Sequence, residues 1–295
     1  MTTTTTAELT SHTLDVPGAT LTYDVRPGTG SADEPLLCMI GSPMGAAGFG
    51  TLSKHFGDRT IITYDPRGSE RSTKPDMTSP STPEEHANDL HRIIVELGGG
   101  PLDMFATSGG ATNALALVAM HPQDVRILVA HEPPVAAVLP DRENAQAAAR
   151  AVHETYQRRG FGAGMAHFIA LVSHQGELPD DWASQPAPDP AMFGMPAEDD
   201  ASRADPLLGQ NMISGTTFEP DFEALRAAPT RIVIAAGVES DGILPSRAAF
   251  VVAERLGTDV VMFPSGHGGF MGGEYGQTGD PDAFAAKLRD VLATA

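Results

Sequence analysis

A chain of 295 residues, 41% of them hydrophobic, can bury a substantial core without staples and has room for one domain with an insertion or two small ones. Nineteen basic against 38 acidic side chains leave a net charge of −19, which repels nucleic acid and anionic membranes and disfavours both as partners. The single cysteine, Cys38, lies in the apolar run Leu36 to Ile40, so no internal disulfide is possible and a buried, inert thiol is expected.

The N-terminus, MTTTTTAELTSH, has no basic segment and no apolar core, and no later stretch approaches the roughly 18 apolar residues of a membrane helix. A cytoplasmic protein with a disordered threonine-rich tail over 1–12 is expected. Thr13 to Val16 and Thr20 to Val25, separated by Pro17-Gly18, read as a hairpin. Pro35 to Ile40 is a continuous apolar run, the pattern of a strand buried on both faces. It breaks at Gly41-Ser42-Pro43-Met44-Gly45 before a helical stretch ending near Phe56.

Arg59 to Tyr64 is the next strand and runs into Asp65-Pro66-Arg67-Gly68-Ser69-Glu70-Arg71-Ser72, whose charges suit internal ion pairs that fix a loop. Thr82-Pro83-Glu84-Glu85 opens a helix with an N-cap threonine, proline at the first helical position and acids in the first turn. That helix runs to Leu97 and stops at Gly98-Gly99-Gly100. His86 and His91 on it are five apart and do not share a face, which argues against a metal pair.

Leu102 to Ala106 is again apolar, followed at once by Thr107-Ser108-Gly109-Gly110 and then by Ala111 to Met120, free of Gly and Pro. This is strand, sharp turn, helix. A turn so tight strains its central residue and tolerates only small flanking side chains, which Ala106 and Gly110 supply around Ser108. Val125 to Ala130 is a further strand and delivers His131 and Glu132 at its carboxyl end before Pro133-Pro134. Ligands of open α/β sheets bind outside the carboxyl ends of strands, so these two side chains are expected to border a pocket.

From Val135 to Pro229 the strand/helix alternation stops: Arg142 to Arg159 and Met165 to Ser173 are helical, and Leu178 to Pro206 is irregular and holds the only tryptophan, Trp182. Alternation resumes with the strand Arg231 to Ala236, the loop Gly237 to Pro245, a helix through Leu256, the strand Asp259 to Phe263, and Pro264-Ser265-Gly266-His267-Gly268-Gly269-Phe270. A terminal helix begins at Pro281. A neutral serine hydroxyl is a poor nucleophile and needs a base. The base needs an acid to fix its tautomer. Ser108, an acid near 240 and His267 each stand just past an expected strand.

These stretches together resemble the α/β-hydrolase family. Ala106-x-Ser108-x-Gly110 is similar to its G-x-S-x-G nucleophile elbow, Ile40-Gly41-Ser42-Pro43 to its H-G-x-P loop without the histidine, and Asp65 to Ser72 to its D-x-R-G-x-G-x-S turn with Glu70 for a glycine. The resemblance implies an α/β fold with a mostly parallel sheet flanked by helices. It assigns 13–134 and 230–295 to the core domain and 135–229 to a helical cap. It also implies an esterase-like serine hydrolase with Ser108 as nucleophile, His267 as base, the amides of Ser42 and Gly109 as oxyanion donors, and no cofactor or metal.

For the acid, the family's G-x-x-D counted from Gly237 lands on Ser240, whereas the spacing to Pro245 selects Asp241; Glu239 is also reachable, and Glu132 is a third choice. Asp241 is favoured. Met44, Glu132, Phe168, Trp182 and Phe270 are the expected substrate contacts, with Phe161, Met165, Met192, Phe193 and Met195 as further apolar residues of the cap. The partner implied is a small ester-like molecule, and a homodimer is allowed. Alternatives on the same triad are a lactonase, a cofactor-free perhydrolase of the haloperoxidase type and a C–C bond hydrolase. A catalytically silent binding protein on this fold is a further alternative.

Overall fold

The computed structural model describes residues 9–31 and 33–294. An eight-stranded sheet carries the fold: β1 (Thr10–Val16), β2 (Ala19–Arg26), β3 (Leu37–Ile40), β4 (Ile61–Asp65), β5 (Leu102–Thr107), β6 (Val125–His131), β7 (Arg231–Gly237) and β8 (Val261–Phe263). Its order is β1-β2-β4-β3-β5-β6-β7-β8; β2 runs antiparallel to both its neighbours, β1 and β4, and every other pair is parallel. The helices are α1 (Gly50–Lys54), α2 (Pro83–Glu96), α3 (Gly109–Met120), α4 (Arg142–Val172), α5 (Met212–Thr217), α6 (Phe222–Ala227), α7 (Leu244–Leu256) and α8 (Pro281–Ala293).

The hairpin forms as its sequence dictates. Val16 pairs with Ala19 across the two-residue turn Pro17-Gly18, and Gly18 takes φ +78°, which glycine alone adopts without cost. The expected tail is corrected at its inner end, because β1 begins at Thr10 and its edge pairing claims residues 10–12; residues 1–8 lie outside those described.

The capping of α2 is reciprocal. Thr82 Oγ1 accepts from the Glu85 N–H, and Glu85 Oε2 accepts from the Thr82 N–H at 2.9 Å. The charged loop after β4 is tied down from within: Arg67 reaches Asp89 on α2 through two 2.7 Å hydrogen bonds, both side chains buried, and Arg71 bridges Asp65 and Asp24.

Helices cover both faces of the sheet. On one, α2, α3 and α7 bury Leu90, Ile93, Leu115 and Val252 against Cys38, Ile40, Met104 and Leu128. On the other, α1 and α8 bury Leu52, Phe284 and Leu288 against Met39, Phe105, Val129 and Val233. Alternate residues of the central strands therefore face two different cores, which explains their unbroken hydrophobicity. Burial pushes the Cys38 thiol up to about 12, as suits an inert core residue.

Between β6 and β7 the chain forms α4, α5 and α6 joined by irregular turns. The two helices expected over 142–159 and 165–173 form 142–159 and 161–172 of α4 and meet without a loop at Gly160, whose φ +82°, ψ −174° is not helical. A Cβ there would meet Asp199 at 2.2 Å, so glycine is needed for the kink and for the loop that crosses it. Val152, Tyr156, Trp182, Leu208 and Met212 continue the α2/α3/α7 core into this insertion. No helix among the described residues is long and apolar enough to cross a membrane.

Candidate active site

The strand order reverses around β3, whose neighbours β4 and β5 follow it in sequence but flank it on opposite sides. The loops leaving β3 and β5 pack against each other at the carboxyl ends of their strands, the edge to which the path along β5 leads and where open α/β sheets bind ligands. Ser108 ends that path as the first residue beyond β5, held at φ +54°, ψ −131°, a region costly for any residue with a Cβ. Its N–H donates to the His131 carbonyl at 3.0 Å, and its carbonyl accepts from Ala111 and Thr112 at the start of α3.

The need for small neighbours is visible in the packing. A Cβ on Gly110 would lie 2.7 Å from Gly41 Cα, and one on Gly109 would lie 2.4 Å from the Ser42 carbonyl oxygen. Ala106 is fully buried. The elbow and the Gly41-Ser42 loop are thus pressed backbone to backbone, which places Ser42 beside Gly109. Met44 folds back over Gly41 and Gly48, where Cβ atoms would meet its Cε at 2.8 Å and its Sδ at 2.3 Å.

His267 stands in the turn after β8. Ser265 takes φ +65°, and a Cβ on Gly237 would meet Gly266 Cα at 2.9 Å, so the tips of the β7 and β8 loops also pack backbone to backbone. The side chain facing His267 is Glu132. Its Oε2 accepts from Nδ1–H of His267 at 2.5 Å, and its Oε1 accepts from the Gly237 N–H at 2.8 Å. Since an ionised carboxylate only accepts, the proton resides on Nδ1, and Nε2 keeps the lone pair.

Glu132 is wholly buried and itself strained, with φ +50° before Pro133-Pro134. Burial pushes its carboxyl up, but the hydrogen bond from His267, the two nearby imidazoles and the Gly237 N–H outweigh that and hold it below the usual glutamate value. His131, one residue earlier, is also fully buried, among Phe105, Phe263 and Phe284. Its Nδ1 lies 3.2 Å from Thr107 Oγ1, and its Nε2 has no hydrogen-bond partner among the described residues. Burial pushes its imidazole down to about 4, with Glu132 opposing the shift and His267 adding to it.

Several expectations change. Asp241 and Glu239 do not face His267: both are exposed on the β7 loop, and Glu239 instead accepts from Ser265 Oγ at 3.3 Å. Ser240, at the family's acid position, is buried with its hydroxyl unpartnered among the described residues. Glu132 is not a pocket-lining side chain, because both its oxygens are committed inside the protein.

Phe270 is corrected too. It is 1% exposed and packs on Phe49, Phe105 and Phe284 at 5.6–5.7 Å between ring centroids, a core position that no ligand reaches. Trp182 is buried and stacked on His167 at 5.0 Å, so it braces α4. Phe168 is half-buried against the same core. Two signals in the chain pointed to Glu132: an acid at the carboxyl end of a buried strand, and a serine where the β7 loop lacks one.

The likeness to known proteins runs along most of the chain. Residues 35–159 match the model of the α/β-hydrolase fold family. A protein of Bacillus subtilis (strain 168) named as the uncharacterised hydrolase YraK is 28% identical over 290 residues, 96% of each chain. Among solved structures, MGS-M2, an α/β-hydrolase enzyme from a Medee basin deep-sea metagenome library, superposes with a TM-score of 0.69 at 16% identity, covering 96% of this chain and 98% of its own. A thermophilic esterase from Thermogutta terrifontis gives 0.65 at 20% identity, covering 97% and 98%.

Proposed function

Since the chain belongs to the α/β-hydrolase superfamily, we propose that it is a serine hydrolase acting on a carboxylic ester, lactone or thioester of small to medium size and apolar character. The reading is supported above all by one observation, the 2.5 Å hydrogen bond between His267 and the buried, doubly used carboxylate of Glu132, at the same edge of the sheet as the strained Ser108.

In this reading Ser108 Oγ attacks the carbonyl carbon while His267 Nε2 takes its proton. The imidazolium that forms is stabilised by Glu132, which stays ionised. Charge developing on the carbonyl oxygen is met by the N–H groups of Ser42 and Gly109. The tetrahedral species collapses as His267 returns the proton to the leaving alcohol. Water then repeats the sequence on the acyl-Ser108 and releases the acid. The two strained residues, Ser108 and Glu132, hold nucleophile and acid where the reaction needs them, so little reorganisation is left for the chemical step.

A chromogenic ester series of increasing acyl length tests this, together with a fluorophosphonate probe read by mass spectrometry. Hydrolysis that peaks within the series, with a single adduct on Ser108, is expected. Absence of both hydrolysis and adduct overturns the reading.

A further inference from the structure

His91, His121 and Asp124 each offer a ligand atom within 4.8 Å of the other two. They come from three different elements: His91 from the middle of α2, His121 from the residue that ends α3, and Asp124 from the residue before β6. The imidazoles are stacked, 3.8 Å between centroids and 5° from parallel, and His91 Nδ1 lies 2.7 Å from Asp124 Oδ2. Asn88, one turn before His91 on the same face of α2, accepts from His121 Nε2 at 3.2 Å and orients that ring.

The backbone beneath is firm: the Asp124 carbonyl accepts from Leu102 at 2.9 Å, its N–H donates to His121 at 3.1 Å, and a Cβ on Gly100 would lie 2.5 Å from its carbonyl oxygen. The side chains above it are reachable from solvent, with His91 34% and Asp124 12% exposed.

We infer that His91, His121 and Asp124 form a binding site for a divalent transition-metal ion of the zinc type, which clamps α2 to the α3–β6 connection. Two imidazole nitrogens and one carboxylate are the donor set of an open zinc site, in which water completes the tetrahedron. Metal–ligand bonds of about 2.0–2.2 Å put ligand atoms roughly 3.4 Å apart, so binding draws together a cluster whose ligand atoms already lie within 4.8 Å of one another. An imidazole binds a metal in its own ring plane, so one ring swings out of the stack, and two metal–nitrogen bonds replace the ring contact.

The site lies at the amino end of β6, whereas Glu132 follows its carboxyl end. At about 3.3 Å per residue the two are roughly 25 Å apart. The ion therefore has no part in the ester chemistry, and its effect is on stability.

The test uses the full chain stripped with EDTA and exchanged into chelator-free buffer at pH 7.5. Calorimetric titration with zinc chloride is expected to show one ion per chain, and zinc at a hundredfold excess over Kd is expected to raise Tm by about 5 °C. His91→Ala and His121→Ala should each weaken that binding at least tenfold, while alanine at the half-buried His174 of the β6–β7 insertion leaves it unchanged. No one-to-one binding, or full binding retained by both cluster variants, overturns the inference. Should the variants misfold, anomalous scattering from zinc-soaked wild-type crystals decides: an ion within bonding distance of all three residues supports it, and an ion elsewhere overturns it.

Discussion

The loops that leave β6 and β7 lie side by side on one edge of the sheet and treat their acidic residues in opposite ways. The β6 loop turns at once, at a residue forced to positive φ, and drives Glu132 inward between Gly237 and His267. The β7 loop keeps Glu239 and Asp241 in solvent and buries the serine between them. In water a carboxylate contributes little to a partner it meets, because solvent screens the attraction and the side chain is free to leave. Sealed from water with both oxygens satisfied, the same group fixes an imidazole in one tautomer. Under the proposed mechanism, burial and not spacing along the chain selects the acid.

The largest effect expected is that of Ser108→Ala, which removes the group both loops are read to serve. Its kcat on an active ester should fall by roughly 10⁵-fold or more, and retention within tenfold would remove the premise of the comparison. Next comes Glu132→Gln, expected to cost roughly 10⁴-fold in kcat, whereas Asp241→Asn and Glu239→Gln each stay within about twofold. The opposite ranking would hand the role back to the β7 loop. A Ser240→Asp change in the Glu132→Gln background probes the equivalence of the two positions: a tenfold or greater recovery of kcat is expected, and none would mean that the β7 loop cannot present an acid to His267.

Stability separates the residues further. Phe270→Ala should cost about 3–5 kcal/mol in urea unfolding while KM for short esters stays within about twofold, in keeping with a core position; a large change in KM at unaltered stability would return it to the pocket.

The smallest effect concerns pH. The imidazole of His131 has a folded value near 4, below its unfolded value near 6.5, so the unfolded chain binds a proton that the folded one excludes. Stability is therefore complete above about 6.5 and declines as pH falls toward 4, by on the order of 3 kcal/mol. Glu132, with its folded value lowered from about 4.5, removes further stability only below that pH. Unfolding curves at pH 7, 5 and 4 should show the first decline in the parent and a flatter profile in His131→Asn. Equal slopes would assign the loss to other groups.

The local patterns of the chain already contained much of this molecule. The hairpin around Gly18, the capping box at Thr82, the strand–turn–helix at Ser108 and the glycine-flanked His267 all depend on residues within a few positions of one another. Their propensities, caps and steric limits are therefore readable in order along the chain. The β6–β7 insertion was legible as well, because strand alternation ceases there, and so were the two helices of α4 that meet at Gly160.

What local pattern could not settle were pairings between distant positions. Glu132 meets His267 across 135 residues, because β6, β7 and β8 are consecutive neighbours in the sheet and the β6 loop folds inward. His91 meets His121 and Asp124 because α2 packs beside α3. Phe270 and Trp182 carry the same aromatic signature as pocket residues, and only the rings that close over them make them core. The physical reason is common to all of these: a side chain's chemistry is set by how much water the rest of the fold leaves around it, and that is a property of packing, which no stretch of a few residues specifies.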